Sequence, residues 1–199
     1  AAFRAVPRED FVAEGMRKFA YWGTPLPIGH EQTISQPYIV ALTIQALRLE
    51  EDTRVLDIGT GSGYSAAVLS KIAAEVYTVE RVEALADEAR DRLRRLGYHN
   101  VHVLCGDGTL GWPAHAPYDG IAVAAAGPGA PSALLEQLAI GGRLVIPVGP
   151  DKNSQVLTEI VREGEQEYKQ RSLSAVRFVP LIGQQGWPDK KSSIIRSSE

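Results

Sequence analysis

The fold class follows from one octapeptide at residues 57–64: Asp57-Ile58-Gly59-Thr60-Gly61-Ser62-Gly63-Tyr64. The apolar segment that leads into it, residues 54–58, predicts a short strand, and residues 64–74 predict a helix. A strand, a glycine-rich turn and a helix in that order are typical of open α/β sheets, where ligands bind beyond the carboxyl ends of the strands. Glycines at this place let a ligand approach the backbone closely.

Outward from this loop, strands and helices alternate along the chain. Further strands are predicted at 75–79, 101–104, 121–125 and 143–148, and further helices at 82–96 and from Pro131 onward. Such alternation predicts an α/β fold with a parallel sheet that is covered on both faces. Residues 156–161 and 166–179 predict two more strands, which we expect to form an antiparallel pair that closes the sheet.

The first 50 residues depart from this alternation. The run Pro25-Leu26-Pro27-Ile28-Gly29 excludes a regular helix or an interior strand, because proline lacks a backbone donor. A helix is predicted after it, with apolar residues at positions 39, 40, 43, 44 and 47. Ser35 or Gln36 is therefore expected at the N-terminus of this helix, with Pro37 in the first turn, where proline is tolerated.

Length and composition limit the classes of protein. The chain has 199 residues, enough for one domain, and 44% of them are hydrophobic, as in globular proteins. A net charge of -3 does not favour nucleic-acid binding. The single cysteine, Cys105, suits a reducing compartment, the four histidines show no metal-ligand spacing, and no apolar run is long enough to span a bilayer. We therefore expect a cytoplasmic monomer without a metal, with residues 1–187 as one domain, 1–50 as its substrate-side segment and 188–199 as a polar tail. Since Ala1 stands where Met would begin a chain, we also expect that preceding residues are missing.

The glycine loop and the strand ends distinguish two classes of cofactor. The dinucleotide fingerprint G-x-G-x-x-G/A requires a small residue where this chain has Tyr64. Asp57 is unfavourable beside a pyrophosphate but suits the ammonium group of S-adenosylmethionine. Glu80 is placed to accept hydrogen bonds from the ribose hydroxyls, and Asp107 from the adenine amino group. Together they predict S-adenosyl-L-methionine as cofactor and S-adenosyl-L-homocysteine as its product, although each acid alone could be a solvated strand end.

Several segments are shared with a known family. From Val6 to Gly183 the chain resembles the protein-L-isoaspartate O-methyltransferases. The segments that carry the resemblance are VPREDFV at 6–12, PLPIG at 25–29, QTISQPY at 32–38, the loop at 57–64, GDG at 106–108, GW at 111–112, GGRLV at 141–145, PVG at 147–149 and VPL at 179–181. The loop occurs in many methyltransferases, whereas the PLPIG and TISQP segments are close to diagnostic of this family.

The resemblance implies a Rossmann-like class I methyltransferase fold, with a seven-stranded, mostly parallel sheet and a C-terminal antiparallel hairpin. It also implies that Ser35 is the catalytic serine. The implied cofactor-binding residues are Thr33, Ile34, Ser35, Asp57, Gly59, Thr60, Gly61, Ser62, Gly63, Glu80, Arg81, Asp107 and Gly108. The implied substrate-binding residues are Pro27, Ile28, Ser35, Val179, Pro180 and Leu181.

The implied activity is methyl transfer from S-adenosylmethionine to the carboxylate of L-isoaspartyl, and D-aspartyl, residues in damaged proteins. The free carboxylate of isoaspartate is ionised at neutral pH, so it needs no general base, which agrees with the lack of a His-Asp or Lys constellation in the sequence. A serine hydroxyl beside a helix N-terminus suits an anion that must be positioned. The chain departs from the family in a shortened leader before Val6, in Ala124, where the family often has Thr, and beyond Gly186.

Three alternatives remain open at this point. The same fold could methylate a small carboxylate or an RNA, although the net charge and the Ser35 segment argue against RNA. The chain could be a non-catalytic relative that only binds cofactor or peptide, although Asp57, Glu80, Asp107 and Ser35 are all present. Ser35 by itself could also be an ordinary helix cap.

Overall fold

The computed structural model describes residues 1–151 and 153–189, so most of the expected polar tail lies outside the described residues. The helices and strands, in chain order, are α1 (Ala2–Ala5), β1 (Leu26–Gly29), β2 (Gln32–Ile34), α2 (Pro37–Leu47), β3 (Arg54–Ile58), α3 (Tyr64–Leu69), β4 (Glu75–Glu80), α4 (Glu83–Arg95), β5 (Val101–Cys105), β6 (Tyr118–Val123), α5 (Ser132–Glu136), β7 (Leu138–Val148), β8 (Gln155–Arg162) and β9 (Tyr168–Val176). Short 3-10 helices occupy Arg8–Phe11, Glu14–Phe19, Gly108–Leu110 and Pro113–His115. Within the described part of the chain, no helix is both long and apolar enough to cross a membrane.

Seven strands form the central sheet, in the order β5-β4-β3-β6-β7-β8-β9. Strands β3 to β7 pair in parallel, whereas β8 pairs antiparallel with both β7 and β9. The predicted mostly parallel α/β sheet and its C-terminal antiparallel hairpin are thereby confirmed. The chain runs from β3 outward to β5 and then returns to β6 on the other side of β3. This reversal leaves a crevice at the carboxyl end of β3, where ligands bind in such sheets.

Apolar side chains cover both faces of the sheet. One buried cluster packs α2, α3 and the N-terminal segment against it and includes Val55. The other packs α5 against the opposite face and includes Leu56 and Leu134. Because successive side chains of a strand point to opposite faces, Val55 and Leu56 belong to different clusters. The central strand β3 is therefore held from both sides, which fixes the position of the loop that follows it.

Two predicted helices are shorter in the structure. The helix predicted at 64–74 ends at Leu69, because the chain turns there and the Asn100 side chain donates to the carbonyls of Ser70, Ala73 and Ala74 at 3.1, 3.3 and 3.1 Å. The helix predicted from Pro131 ends at Glu136, and the last strand of the parallel part begins two residues later instead of at 143. At the first of these ends the bonds come from Asn100, a residue distant in the chain, which the periodic pattern cannot indicate.

A two-stranded ribbon precedes α2. Strands β1 and β2 pair only with each other, as an antiparallel sheet of their own, so the PLPIG run is indeed neither a helix nor an interior strand. Gly29, His30 and Glu31 turn the chain with φ values of 90, 51 and 59°. The pairing itself was not predicted from the sequence. Its consequence is that β2 delivers Ile34 and Ser35 directly to the start of α2.

Candidate functional site

The glycine loop lies at the carboxyl end of β3, at the crevice in the sheet. Gly59, Gly61 and Gly63 have φ values of 92, 52 and 88°, a region that side chains rarely adopt. The Gly59 N–H donates to the carbonyl of Val79 at 2.9 Å, so the start of the loop is tied to the neighbouring strand. The alternating glycines are therefore required by the shape of the turn as well as by the space beside it.

Two adjoining clefts open over this loop, with about 530 and 700 Å³ of empty space, including space open to solvent. Both are lined by Thr33, Gly59, Gly61 and Ala124. The first cleft adds Ile34, Ser35, Asp57, Thr60, Ser62, Tyr64 and Phe178, among others. The second adds Glu80, Arg81, Gly108, Val179, Pro180 and Leu181, among others. Most of the residues that were predicted to bind cofactor or substrate thus line one of these two adjoining clefts.

Asp57 is a fully buried carboxylate at the floor of the first cleft. Its Oδ2 accepts a hydrogen bond from the Thr78 hydroxyl at 2.8 Å, and Thr78 in turn lies 2.7 Å from the Thr60 hydroxyl. Its Oδ1 has no hydrogen-bond partner among the described residues. Burial raises the pKa of Asp57 from 3.8 to about 7, against the opposing effect of the Thr78 and Ser65 hydroxyls. A buried acid with a free oxygen is suited to a cationic ligand group.

Glu80 joins the end of β4 to the glycine loop. Its Oε2 accepts from the Gly61 N–H at 2.9 Å, and its Oε1 accepts from the Val82 N–H at 3.0 Å. The side chain is only 5% exposed, yet it lines the second cleft. Each carboxylate oxygen keeps a second lone pair, so the pair of oxygens can still accept bonds from two neighbouring hydroxyls.

Ser35 lies in the first cleft, opposite the glycine loop. The N-cap of α2 is Gln36, so Ser35 precedes the cap by one residue and the first helical residue, Pro37, by two. Of the two cap positions that the sequence allowed, the second is the observed one. The carbonyl oxygen of Ser35 accepts a hydrogen bond of 2.6 Å from Arg8. Ser35 is therefore placed between the start of α2 and the first cleft, and its main-chain carbonyl is held by Arg8.

The segment Val179-Pro180-Leu181 forms one wall of the second cleft. It is attached to Ala126, in the segment after β6, by two backbone bonds of 2.8 Å, from Ala126 N–H to the Val179 carbonyl and from Leu181 N–H to the Ala126 carbonyl. Ala124 lines both clefts just before this attachment. The structure thus brings the expected substrate-side segment next to the expected cofactor residues.

The Asp107 carboxylate bonds to neighbouring parts of the chain. Its Oδ1 accepts from the Thr109 N–H and hydroxyl at 2.9 and 2.7 Å, and its Oδ2 accepts from the Gln184 N–H at 2.8 Å. It is not among the residues that line either cleft, whereas its neighbour Gly108 is. The carboxylate holds the chain at Gln184 beside the groove, and its proposed bond to adenine stays a prediction.

The four remaining residues that were predicted to bind cofactor or substrate lie at different places around the clefts. Pro27 is exposed and Ile28 half-buried, and neither lines a cleft, but Ile28 packs over the loop, since a Cβ at Gly61 would lie 3.1 Å from its Cδ1. Gly63 caps α3 in a left-handed conformation. Arg81 lines the second cleft and forms an ion pair of 2.9 Å with Asp189.

Two residues of the site were missed from the sequence. Thr78 gave no signal, because it is one residue in a short apolar strand, and only the parallel pairing of β3 with β4 puts it opposite Asp57. Arg8 lies in the VPREDFV segment that carried the family resemblance, but nothing in that segment indicated a contact with Ser35. Both contacts join residues far apart in the chain.

The site contains groups suited to an ammonium ion and to hydroxyls. The unpartnered buried oxygen of Asp57 and the two accepting oxygens of Glu80 fit the amino and ribose groups of S-adenosylmethionine. Across residues 1–151 and 153–189, no group of three His, Cys, Asp or Glu side chains could hold a metal ion.

Comparison with known proteins agrees with this geometry. Residues 1–186 match the family model of protein-L-isoaspartate (D-aspartate) O-methyltransferases. A protein-L-isoaspartate O-methyltransferase of Pelobacter propionicus is 60% identical over 94% of this chain and 83% of its own.

Two solved structures are similar over nearly the whole chain. A protein-L-isoaspartate O-methyltransferase superposes with a TM-score of 0.85 at 31% identity over 93% of this chain, which spans 61% of that longer chain. A Plasmodium falciparum chain assigned to the same enzymes, in complex with S-adenosyl-L-homocysteine, superposes with a TM-score of 0.79 at 28% identity, over 91% of this chain and 88% of its own. The chain therefore belongs to the protein-L-isoaspartate (D-aspartate) O-methyltransferase family of S-adenosylmethionine-dependent methyltransferases.

Proposed function

We propose that the two adjoining clefts of this enzyme bind different groups of the cofactor and the substrate. In the second cleft, Glu80 holds the ribose, and Arg81 and Gly108 line the space beside it. In the first cleft, Asp57 holds the ammonium group and Ser35 holds the substrate carboxylate. Thr33, Gly59 and Gly61 line both, so the reacting groups meet where the clefts join.

The reaction is transfer of a methyl group from S-adenosyl-L-methionine to the carboxylate of L-isoaspartyl residues in damaged proteins. The sulfonium of the bound cofactor supplies the electrophilic methyl group. The attacking carboxylate is already ionised at neutral pH, so the protein need not remove a proton. What this chain must provide is alignment of the carboxylate and exclusion of water.

Ser35 is suited to that task because its hydroxyl is neutral. A hydroxyl donor can orient a carboxylate beside the N-terminus of α2, where the positive end of the helix dipole favours an anion. A lysine or arginine in its place would neutralise the nucleophile more strongly. The neighbouring peptide nitrogen of the substrate attacks the carbonyl of the ester that forms, and methanol, which takes the proton of that nitrogen, leaves to give a succinimide. Water then opens the succinimide partly to normal aspartate.

The observation that carries the proposal is the position of Ser35 and buried Asp57 in one cleft over the glycine loop. The test is methyl transfer to two synthetic peptides that differ only in carrying aspartate or isoaspartate at one position. We expect label from S-adenosylmethionine in the isoaspartyl peptide alone. Equal labelling of both, or of neither, would reject the assignment. A third peptide with D-aspartate tests the second substrate in the same assay.

We further propose that residues 1–187 act as one domain, as a cytoplasmic monomer, on proteins and not on nucleic acid. The shared buried cluster supports the single domain, since Val6 and Phe11 of the N-terminal segment pack with Leu69 of α3. The net charge of -3 argues against a nucleic-acid substrate, and the lone Cys105 suits a reducing compartment. Sedimentation at working concentrations tests the oligomeric state, and a gel-shift assay tests binding to RNA.

A further inference from the structure

Arg8 is a completely buried arginine behind the first cleft. Its Nε donates to the carbonyl of Ala20 at 2.7 Å, and one terminal nitrogen donates to the carbonyl of Ser35 at 2.6 Å. The guanidinium carbon lies 4.7 Å from the centre of the Tyr64 ring, on the first residue of α3. Arg8 thereby connects the N-terminal segment, the segment before α2 and the helix that follows the glycine loop.

This charge is buried without an acidic partner. None of the ion pairs formed among the described residues includes Arg8, and its other terminal nitrogen is buried with no hydrogen-bond partner among them. A buried cation is costly unless its bonds compensate, and a neutral apolar side chain would fill the space at lower cost. An arginine at this place therefore needs a reason other than packing.

The bond to Ser35 supplies that reason. A guanidinium that is held at a second point by the Ala20 carbonyl and lies over the Tyr64 ring has little freedom, because its donors are in a rigid plane. It fixes the peptide plane that follows Ser35, and with it the backbone from which the Ser35 side chain projects. Ile34, the residue before Ser35, is anchored in the buried apolar cluster, and the bond from Arg8 adds a second hold on the peptide plane that follows Ser35.

We propose that Arg8 is a positioning residue for methyl transfer, which acts by holding the Ser35 backbone so that the hydroxyl meets the substrate carboxylate. The proposal rests on the function proposed for Ser35. It is distinct from that function, because Arg8 contacts the serine carbonyl and is not among the residues that line either cleft. Small displacements of a group that aligns reactants reduce the rate by large factors.

The test uses Arg8→Lys, Ser35→Ala and the double variant. Lysine keeps the positive charge but lacks the planar fork, so it cannot keep both directed bonds. Arg4→Lys, at an exposed arginine of the same segment, is the matched control. Turnover of an isoaspartyl peptide is measured with saturating cofactor and divided by the number of S-adenosylhomocysteine sites found by calorimetry, which corrects for any unfolded fraction. KM is measured alongside kcat, and thermal unfolding is followed separately.

We expect Arg8→Lys to lower kcat per site by about 10- to 100-fold, the range expected for a small misalignment, with cofactor affinity within twofold of the unsubstituted enzyme. The double variant should be no slower than Ser35→Ala alone, within twofold, because both changes act on one hydroxyl. Unchanged kcat per site in Arg8→Lys, or a double variant whose losses multiply, would overturn the role of Arg8. Full turnover in Ser35→Ala would instead reject the role proposed for Ser35, so the two failures are distinguishable.

Discussion

Replacing Asp57 by asparagine separates the structural and the binding roles of the buried carboxylate. Asparagine has nearly the same size and its side-chain oxygen can still accept the bond of the Thr78 hydroxyl, but it cannot become charged. In the protein without cofactor, burial raises the pKa of Asp57 to about 7 from 3.8. The folded state therefore holds the proton of this carboxyl over a pH range in which the unfolded chain has lost it.

The sign of the effect follows from that difference. Between pH 4 and pH 7 the folded state binds more protons at Asp57 than the unfolded state, so the stability of the protein falls as the pH rises, and the loss levels off above the folded pKa. With the two values given, Asp57 removes about 2.5 kcal/mol of stability between pH 5 and pH 8. For a chain of this size that energy corresponds to a change of roughly 5–10 °C in Tm.

Thermal unfolding without cofactor at a series of pH values measures the effect. We expect the difference in Tm between Asp57→Asn and the unsubstituted protein to shift in favour of the variant by that amount from pH 5 to pH 8. Titrating groups that do not interact with residue 57 contribute equally to both proteins and cancel in the difference. Asp52→Asn, at an exposed aspartate before β3, should show no such shift. A difference that is constant with pH would refute the reasoning.

Cofactor binding should respond in the opposite direction. An ammonium group pairs with the ionised carboxylate, so binding of S-adenosylhomocysteine to the unsubstituted enzyme should weaken as the pH falls below 7. Asp57→Asn should bind roughly 10- to 100-fold more weakly at pH 8, as expected for loss of a charge-assisted bond, and should lose this pH dependence. Equal calorimetric affinities for the two proteins at pH 8 would show that Asp57 does not hold the ammonium group.

Three further substitutions test other parts of the site. Ser35→Ala should lower kcat by about 10- to 100-fold and leave calorimetric S-adenosylhomocysteine affinity within twofold, and an equal loss of affinity would make Ser35 a cofactor residue instead. Glu80→Gln should weaken the affinity for S-adenosylhomocysteine by roughly tenfold, because the glutamine amide has only one oxygen that accepts hydrogen bonds. Unchanged affinity would contradict the role of Glu80 in binding the ribose. Gly108→Ala should lower the free energy of unfolding by about 1–3 kcal/mol in urea titrations, since its Cβ would lie 2.6 Å from Ile58 Cγ2. Gly129→Ala, with nothing within 4 Å, is its control, and an equal loss in both would refute the packing argument.

Much of the fold could be predicted because it is encoded locally. The strand-loop-helix pattern around Asp57 depends on hydrophobic periodicity and on glycines that the turn requires, and both can be read over a few residues. The alternation that follows fixes a parallel sheet, and therefore places strand ends such as Glu80 at one edge. The end of the helix after the glycine loop was predicted too late, because the carbonyls that follow it are bonded by Asn100, which is distant in sequence.

What the amino-acid sequence determined by itself was the class of fold, the glycine loop and the set of acids and the serine near it. Only the tertiary structure decided which groups each of them contacts. The register of β3 on β4 places Thr78 where its hydroxyl donates to Asp57. The Asp107 carboxylate accepts a bond from the Gln184 N–H, and Arg8 donates to the carbonyl of Ser35, 27 residues away in the chain. The reason is physical: local patterns specify which element a residue belongs to, whereas contacts between elements depend on packing and register, which exist only once the sheet has formed.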